Sequence, residues 1–199
     1  MKKLFFLSLL AFLSVNIVGQ DIKSPGQFLG YELGSQFTFH ARTVAYFNYV
    51  AENSPGVKIE KYGTSNEGRP LLVCFVSSEE NISKLESIRT NNLKNIGLLE
   101  GEAEGETKPL IWLSYNVHGN ESVGMEASMK VLYDLVTGNI DEAEQWLDEC
   151  IIVIDPCQNP DGRDLYANRY RNRQPANMNP DPNDWSHNQP WPSARSNHY

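Results

Sequence analysis

Apolar residues recur every three or four positions in three stretches of the chain, the spacing that places side chains on one face of a helix. They are Val44, Phe47, Val50 and Ala51, then Ile82, Leu85, Ile88 and Leu93, then Met125, Met129, Leu132 and Val136. Thr38 is expected to cap the first helix, and Gly138 to end the third. A shorter pattern predicts a further helix over residues 143–147.

Shorter runs, mostly apolar, predict strands. They are residues 57–62, 71–76, 110–115 and 151–154. The turn-rich segment 63–70 should join the first two strands as a hairpin. Strand, helix and strand then alternate from residue 110 to 154, which is typical of parallel crossovers. The pattern therefore predicts an α/β fold, with the strand at 110–115 buried in its sheet.

The first residues differ from the rest of the chain. Lys2 and Lys3 precede an apolar run from Leu4 to Val18, and the small residue Gly19 follows. This is the pattern of a secretory signal peptide, and the run is short for a membrane span of roughly 20 apolar residues. We expect residues 1–19 to be removed and the mature protein to be secreted or periplasmic, without stable membrane insertion. The alternative is an uncleaved N-terminal anchor.

Composition narrows the function classes. The length of 199 residues and a 40% hydrophobic content suit one soluble domain, here residues 20–199. The formal net charge of -8 argues against nucleic acid as a partner. From Asn168 onward the chain is rich in Asn and Pro but keeps several aromatic residues, which predicts a long ordered loop.

Three cysteines, Cys74, Cys150 and Cys157, leave at least one thiol free. Cys150 and Cys157 flank the predicted strand 151–154, whose extended rise of about 3.3 Å per residue separates them by roughly 20 Å. A disulfide needs Cα atoms within about 7 Å, so this pair is excluded if the strand forms. We propose no metal site built from cysteines.

A candidate metal-binding pair follows the strand at 110–115. His118 and Glu121 offer an imidazole and a carboxylate, both common Zn²⁺ ligands, and a turn entering a helix can bring positions i and i+3 together. Alone, such a pair is more often an ordinary surface turn. Its place beyond the end of a strand favours a site, since open α/β sheets bind ligands there.

A second segment lies at an equivalent place, after the strand 151–154. Asn159-Pro160-Asp161-Gly162 contains two strong turn-forming dipeptides and predicts a sharp turn. We expect this turn to line the same rim as His118 and Glu121.

Three motifs together resemble the zinc carboxypeptidase family, the M14 metallocarboxypeptidases. They are Glu67-Gly68-Arg69-Pro70 before a strand, His118-Gly119-Asn120-Glu121, and Asn159-Pro160-Asp161-Gly162 with an Arg-rich stretch after it. The match covers roughly residues 35–199. It implies a mixed β-sheet flanked by helices, one catalytic zinc ion, and hydrolysis of a C-terminal peptide bond or a related amide.

The resemblance assigns roles to particular residues. His118 and Glu121 match the first two zinc ligands, and the family's third ligand is a His further downstream. His187 and His198 do not fit that position, and no residue here matches the family's general-base Glu. The resemblance therefore implies a fragment of the catalytic domain, whose remaining ligand and base lie beyond Tyr199.

An arginine after the Asn159 turn polarises the scissile carbonyl in this family. Arg169, Arg171 and Arg173 compete for this role, with Arg171 as the first candidate and Arg173 as the second. The alternative is that all three are solvated cations of a loop. Asn120 stands between the two ligands where digestive members have Arg, so their subsite preferences do not transfer.

Two other functions stay open from the sequence. One is an amidase or deacylase of the same family, which would act on cell-wall peptides or related amides. The other is a non-catalytic binding module with the same fold, although the presence of both His118 and Glu121 argues against it.

Overall fold

The computed structural model describes residues 21–121 and 123–172, together with Asp181 and Asn183. The predicted signal peptide, Arg173, His187 and His198 lie outside this part of the chain. No helix within it is long and apolar enough to cross a membrane. The helices are α1 (Pro25–Leu29), α2 (His40–Asn53), α3 (Glu79–Ser83), α4 (Leu85–Asn95), α5 (Gly124–Thr137), α6 (Ala143–Glu149) and α7 (Pro160–Arg171). The strands are β1 (Val57–Thr64), β2 (Pro70–Val76), β3 (Leu110–Ser114) and β4 (Ile151–Asp155).

The strands form one mixed sheet in the order β1-β2-β4-β3. The predicted hairpin is confirmed, since β1 and β2 pair antiparallel. β2 and β4 are also antiparallel, whereas β3 and β4 are parallel. Helices α5 and α6 form the crossover between β3 and β4. The predicted α/β fold, a mixed sheet flanked by helices, is therefore confirmed.

Alternate residues of β4 serve two hydrophobic cores. Ile152 and Ile154 join the larger core, to which α2 and α5 contribute Phe47 and Met129. Ile151 and Val153 join a smaller core that includes Ile88 of α4. Because successive side chains of a strand point to opposite faces, these two cores lie on opposite sides of the sheet. The sheet is therefore covered by helices on both faces.

The prediction that the strand at 110–115 is buried was wrong. β3 lies at the end of the strand order, and its residues Leu110, Ile111 and Trp112 are 50%, 47% and 59% exposed. Apolar strand runs are typical of strands covered on both faces, whereas within the described residues β3 pairs only with β4. An apolar strand sequence is therefore not sufficient to show that the strand is buried within the sheet.

Three predicted element boundaries also differ. The N-cap of α2 is Phe39, and the Thr38 hydroxyl accepts instead from the Tyr31 hydroxyl (2.9 Å). The second predicted helix is two helices that meet at Lys84, where the backbone N–H bonds back to Asn81. The sharp turn predicted at residues 159–162 is the start of the helix Pro160–Arg171, which also includes the first residues of the loop predicted from Asn168. Most of that predicted loop lies outside the described residues. Asn159 caps this helix by accepting from the Gly162 N–H (2.9 Å), so the turn-forming residues act as a helix start.

All three cysteines are free and buried, which confirms that Cys150 and Cys157 do not pair. Burial raises the pKa of the Cys74 and Cys157 thiols. Both are therefore packing residues and not reactive thiols.

Candidate metal centre

The turn after β3 brings His118 and Glu121 together. The His118 Nδ1 atom lies 2.7 Å from the Glu121 Oε1 atom, and the His118 backbone N–H donates to the other carboxylate oxygen at 2.9 Å. The Glu121 N–H in turn donates to the His118 carbonyl oxygen at 3.0 Å. The predicted approach of the two side chains is therefore observed, and one tight turn produces it.

The segment between β4 and α7 runs beside this turn. The Gln158 N–H donates to the Tyr115 carbonyl, and the Asn159 N–H donates to the Asn116 carbonyl, both at 3.1 Å. These bonds extend the parallel pairing of β3 and β4 past the ends of the two strands. The loops that leave the two strands are thereby held side by side.

The closest approach involves Gly119 and Gly162. A β-carbon on Gly119 would lie 2.1 Å from the backbone carbonyl of Gly162, well inside van der Waals contact. Only a residue without a side chain allows the two backbones to lie this close. The expected convergence of residues 159–162 on the His118 turn is therefore observed.

The remaining motif joins the same assembly through Arg69. Its guanidinium donates to Asp161 at 2.6 Å, to Asp164 at 2.9 Å and to Glu67 at 2.8 Å. Ser65 Oγ also donates to Asp161, at 2.7 Å. The tip of the β1–β2 hairpin is thus fastened to the first turns of α7, and all three motifs form one continuous cluster. The motifs are visible in the sequence, but the bonds from Arg69 to Asp161 and Asp164 join residues 92 and 95 positions apart, and no sequence pattern predicts them.

Asp161 is held as a carboxylate by this cluster. Burial alone would raise its pKa, but hydrogen bonds from Ser65, Arg69 and the Glu67 N–H outweigh burial and hold the pKa of Asp161 below its usual range. A carboxyl group with a lowered folded pKa stabilises the fold above its unfolded pKa, about 3.9, and that contribution is lost as pH falls through the folded value.

We therefore expect Asp161→Asn to lower the free energy of unfolding by about 2 kcal/mol at pH 7, since bonds to a charged acceptor are lost. The gap between wild type and variant should shrink as pH falls below about 4. Urea unfolding across pH 3–7 measures the difference in unfolding free energy between wild type and variant. The matched control is Asp141→Asn, because Asp141 is exposed. A gap that stays constant with pH would contradict the role of the Asp161 charge.

Arg171, the first arginine candidate, lies apart from the turn. Arg171 is at the last residue of α7, where its guanidinium donates to the Phe37 carbonyl at 3.2 Å and lies 4.2 Å from the Phe39 ring centre. Helical rise places it about 13 Å along α7 from Gly162. The described structure thus holds Arg171 against the segment before α2, and Arg173 lies outside the described residues.

A buried ion pair was missed by the sequence analysis. Arg163 is fully buried and donates to the Glu126 carboxylate at 2.6 Å and to the Thr38 carbonyl at 3.1 Å. Glu126 lies on α5, only five positions after Glu121. The pair therefore ties α7, α5 and the segment before α2 together.

The residues present suit a zinc ion only in part. An imidazole nitrogen and a carboxylate oxygen are donors that Zn²⁺ prefers, and the side chains of His118 and Glu121 are 30% and 46% exposed, so an ion can reach them. Within the described part of the chain, no group of three His, Cys, Asp or Glu residues could hold a metal. The described structure thus provides two ligands of a site that requires three.

The described residues form an α/β domain that carries a candidate metal-binding pair, and comparison with known families gives a more specific answer. Residues 43–198 match the zinc carboxypeptidase family. The match spans most of the sequence, so the chain belongs to the zinc carboxypeptidase family. A comparison with curated proteins found no match.

Solved structures similar to this chain include several carboxypeptidase relatives. Thrombin-activatable fibrinolysis inhibitor shares 19% identity at a TM-score of 0.49, over 66% of this chain and 27% of its own. Carboxypeptidase A from Helicoverpa armigera shares 20% identity at a TM-score of 0.47, over 64% of this chain and 25% of its own. Bovine thrombin-activatable fibrinolysis inhibitor, in complex with a tick carboxypeptidase inhibitor, shares 19% identity at a TM-score of 0.46, over 65% and 33%. The chain therefore spans about a quarter to a third of the length of these structures.

Proposed function

We propose that the whole protein is a zinc-dependent metallocarboxypeptidase that hydrolyses the C-terminal peptide bond of its substrates. The observation that carries the proposal is the approach of His118 Nδ1 to Glu121 Oε1 at 2.7 Å, beyond the carboxyl end of β3, in a chain of the zinc carboxypeptidase family. Metalloenzyme sites of this type use nitrogen and oxygen donors with one open position.

His118 and Glu121 would hold the zinc ion, together with a His outside the described residues. When bound, zinc polarises a substrate carbonyl and lowers the pKa of a coordinated water. Arg171, or alternatively Arg173, would donate hydrogen bonds to the oxygen that becomes negative during hydrolysis. For this role Arg171 would have to leave its contacts with Phe37 and Phe39. A Glu beyond Tyr199 would act as general base. These roles rest on the family motif and on the exposure of the His118–Glu121 pair.

We also propose that the protein acts outside the cytoplasm. The support is the sequence of residues 1–19, with two lysines before a short apolar run.

A comparison of two chains tests the proposed activity. We expect the 199-residue chain to show no zinc-dependent peptidase activity, because two ligands without a third bind zinc weakly. A chain extended through the rest of the family domain should contain stoichiometric zinc and release C-terminal residues from peptides. Metal content by mass spectrometry, and hydrolysis with and without a chelator, measure both properties.

The outcomes separate the alternatives. Stoichiometric zinc with turnover in the 199-residue chain would contradict the argument from ligand number. Zinc binding with cleavage of cell-wall peptides or amides, but not of ordinary C-terminal peptide bonds, would identify the amidase or deacylase of the same family. An extended chain that binds neither zinc nor peptides would rule out the proposal.

A further inference from the structure

We infer that Asn116 is a positioning residue that holds His118 and Glu121 in their metal-binding arrangement. Its amide Nδ2 donates to the His118 carbonyl oxygen at 2.7 Å. The same oxygen accepts the Glu121 N–H at 3.0 Å. The His118 carbonyl therefore links the backbones of both candidate ligands, and the Asn116 amide holds this carbonyl in place. The inference rests on the proposed zinc site.

The backbone of Asn116 is itself unusual. Its φ of 54° makes it the one residue other than glycine with a positive φ in the described part of the chain. This left-handed conformation turns the chain out of β3 and into the His118 turn. Asn tolerates it better than most residues other than Gly, because its short polar side chain bonds locally.

Asn116 is also fixed from outside the turn. It is 3% exposed, and its carbonyl accepts the Asn159 N–H at 3.1 Å. A β-carbon on Gly124, the first residue of α5, would lie 3.2 Å from the Asn116 nitrogen. The start of α5 and the loop before α7 therefore hold the Asn116 backbone, and the side-chain amide transmits this position to His118.

These contacts separate two contributions of Asn116, its backbone conformation and its amide donor. Glycine keeps the first, because it adopts a positive φ readily, and removes the second. Asn116→Gly is therefore the informative variant. The matched control is Asn139→Gly, which removes an exposed side chain whose amide donates to Asp134 at 3.2 Å, far along the chain from the turn.

The first readout needs no metal. In the metal-free 199-residue chain, we expect the amide hydrogens of His118 and Glu121 to exchange about five- to tenfold faster in Asn116→Gly than in wild type, the effect of losing one hydrogen bond. Amides of β4 should be unchanged, and Asn139→Gly should match wild type at the turn. Unchanged exchange at both residues would overturn the inference, whatever the result with zinc.

The second readout is zinc affinity, measured by competition with a chromophoric chelator on the chain extended through the family domain. We expect Asn116→Gly to weaken binding by about tenfold, as outer-shell partners of metal ligands do. Wild-type affinity in Asn116→Gly would overturn the inference. If zinc binding is unaffected by His118→Ala, the proposed function fails instead, and the metal-free exchange rates still decide the role of Asn116.

A second variant covers the case in which Asn116→Gly does not fold. Asn116→Asp keeps the shape of the side chain and tolerates a positive φ, but an ionised carboxylate cannot donate to the His118 carbonyl. We expect the same faster exchange at Glu121 in this variant. Wild-type exchange would show that the backbone of residue 116, and not its amide, sets the turn.

Discussion

Replacing Glu126 with Ala is expected to lower the free energy of unfolding by about 3–5 kcal/mol, the range found when one partner of a buried ion pair is removed. The Arg163 side chain is 0% exposed and the Glu126 side chain 9%, so Arg163 would keep a desolvated charge without its carboxylate. The variant also removes the acceptor of the Thr38 N–H. Urea unfolding at pH 7 measures the change.

The control for this prediction is Glu102→Ala, which removes a carboxylate from an exposed position and should leave stability within about 0.5 kcal/mol of wild type. A double variant, Glu126→Leu with Arg163→Met, should recover part of the loss, because apolar replacement of both partners avoids the buried charge. A single Glu126→Ala variant as stable as Glu102→Ala would show that Arg163 does not depend on this pair.

His118→Ala in the chain extended through the family domain is expected to remove zinc binding and hydrolysis together. Losing even an outer-shell partner of a metal ligand lowers affinity or activity by about 10–100-fold, so loss of the ligand itself should exceed a hundredfold. The turn should still form in part, because its backbone bond from the Glu121 N–H to the residue 118 carbonyl needs no imidazole. Zinc content and kcat/KM are the quantities to measure.

His187→Ala is the matched control, since it removes another imidazole from the same chain. It should keep wild-type zinc content and activity if the third ligand lies beyond Tyr199. Equal losses in the two variants would place His187 in the metal site. Full activity in His118→Ala would remove the basis of the metal assignment.

Much of the fold could be predicted because it depends on local patterns. The hairpin from Val57 to Val76, the helix that ends at Gly138 and the strand from Ile151 follow from periodicity and turn residues. The exposure of β3 could not be predicted, because Leu110 and its neighbours carry the same apolar pattern whether or not another strand covers them. Place in the sheet is a property of the whole domain.

The candidate site also combines local features, which the sequence predicts, with long-range contacts, which it does not. The His118–Glu121 pair is local, so spacing and the end of a strand were sufficient to find it. The bonds from Arg69 to Asp161 and from Arg163 to Glu126 join residues 92 and 37 positions apart, and no spacing rule links them. Asn116 carries one such local signal, because Asn tolerates a left-handed backbone better than most residues other than Gly.

The contact between Gly119 and Gly162 limits how this turn can be varied by evolution or by directed engineering. Gly119 is buried against a backbone that cannot move aside cheaply, whereas Asn120 is exposed on the outer side of the same turn. Side chains at position 120 can therefore change while His118 and Glu121 stay in place. A library that randomises position 120 and leaves position 119 as Gly should therefore keep the turn that holds His118 and Glu121.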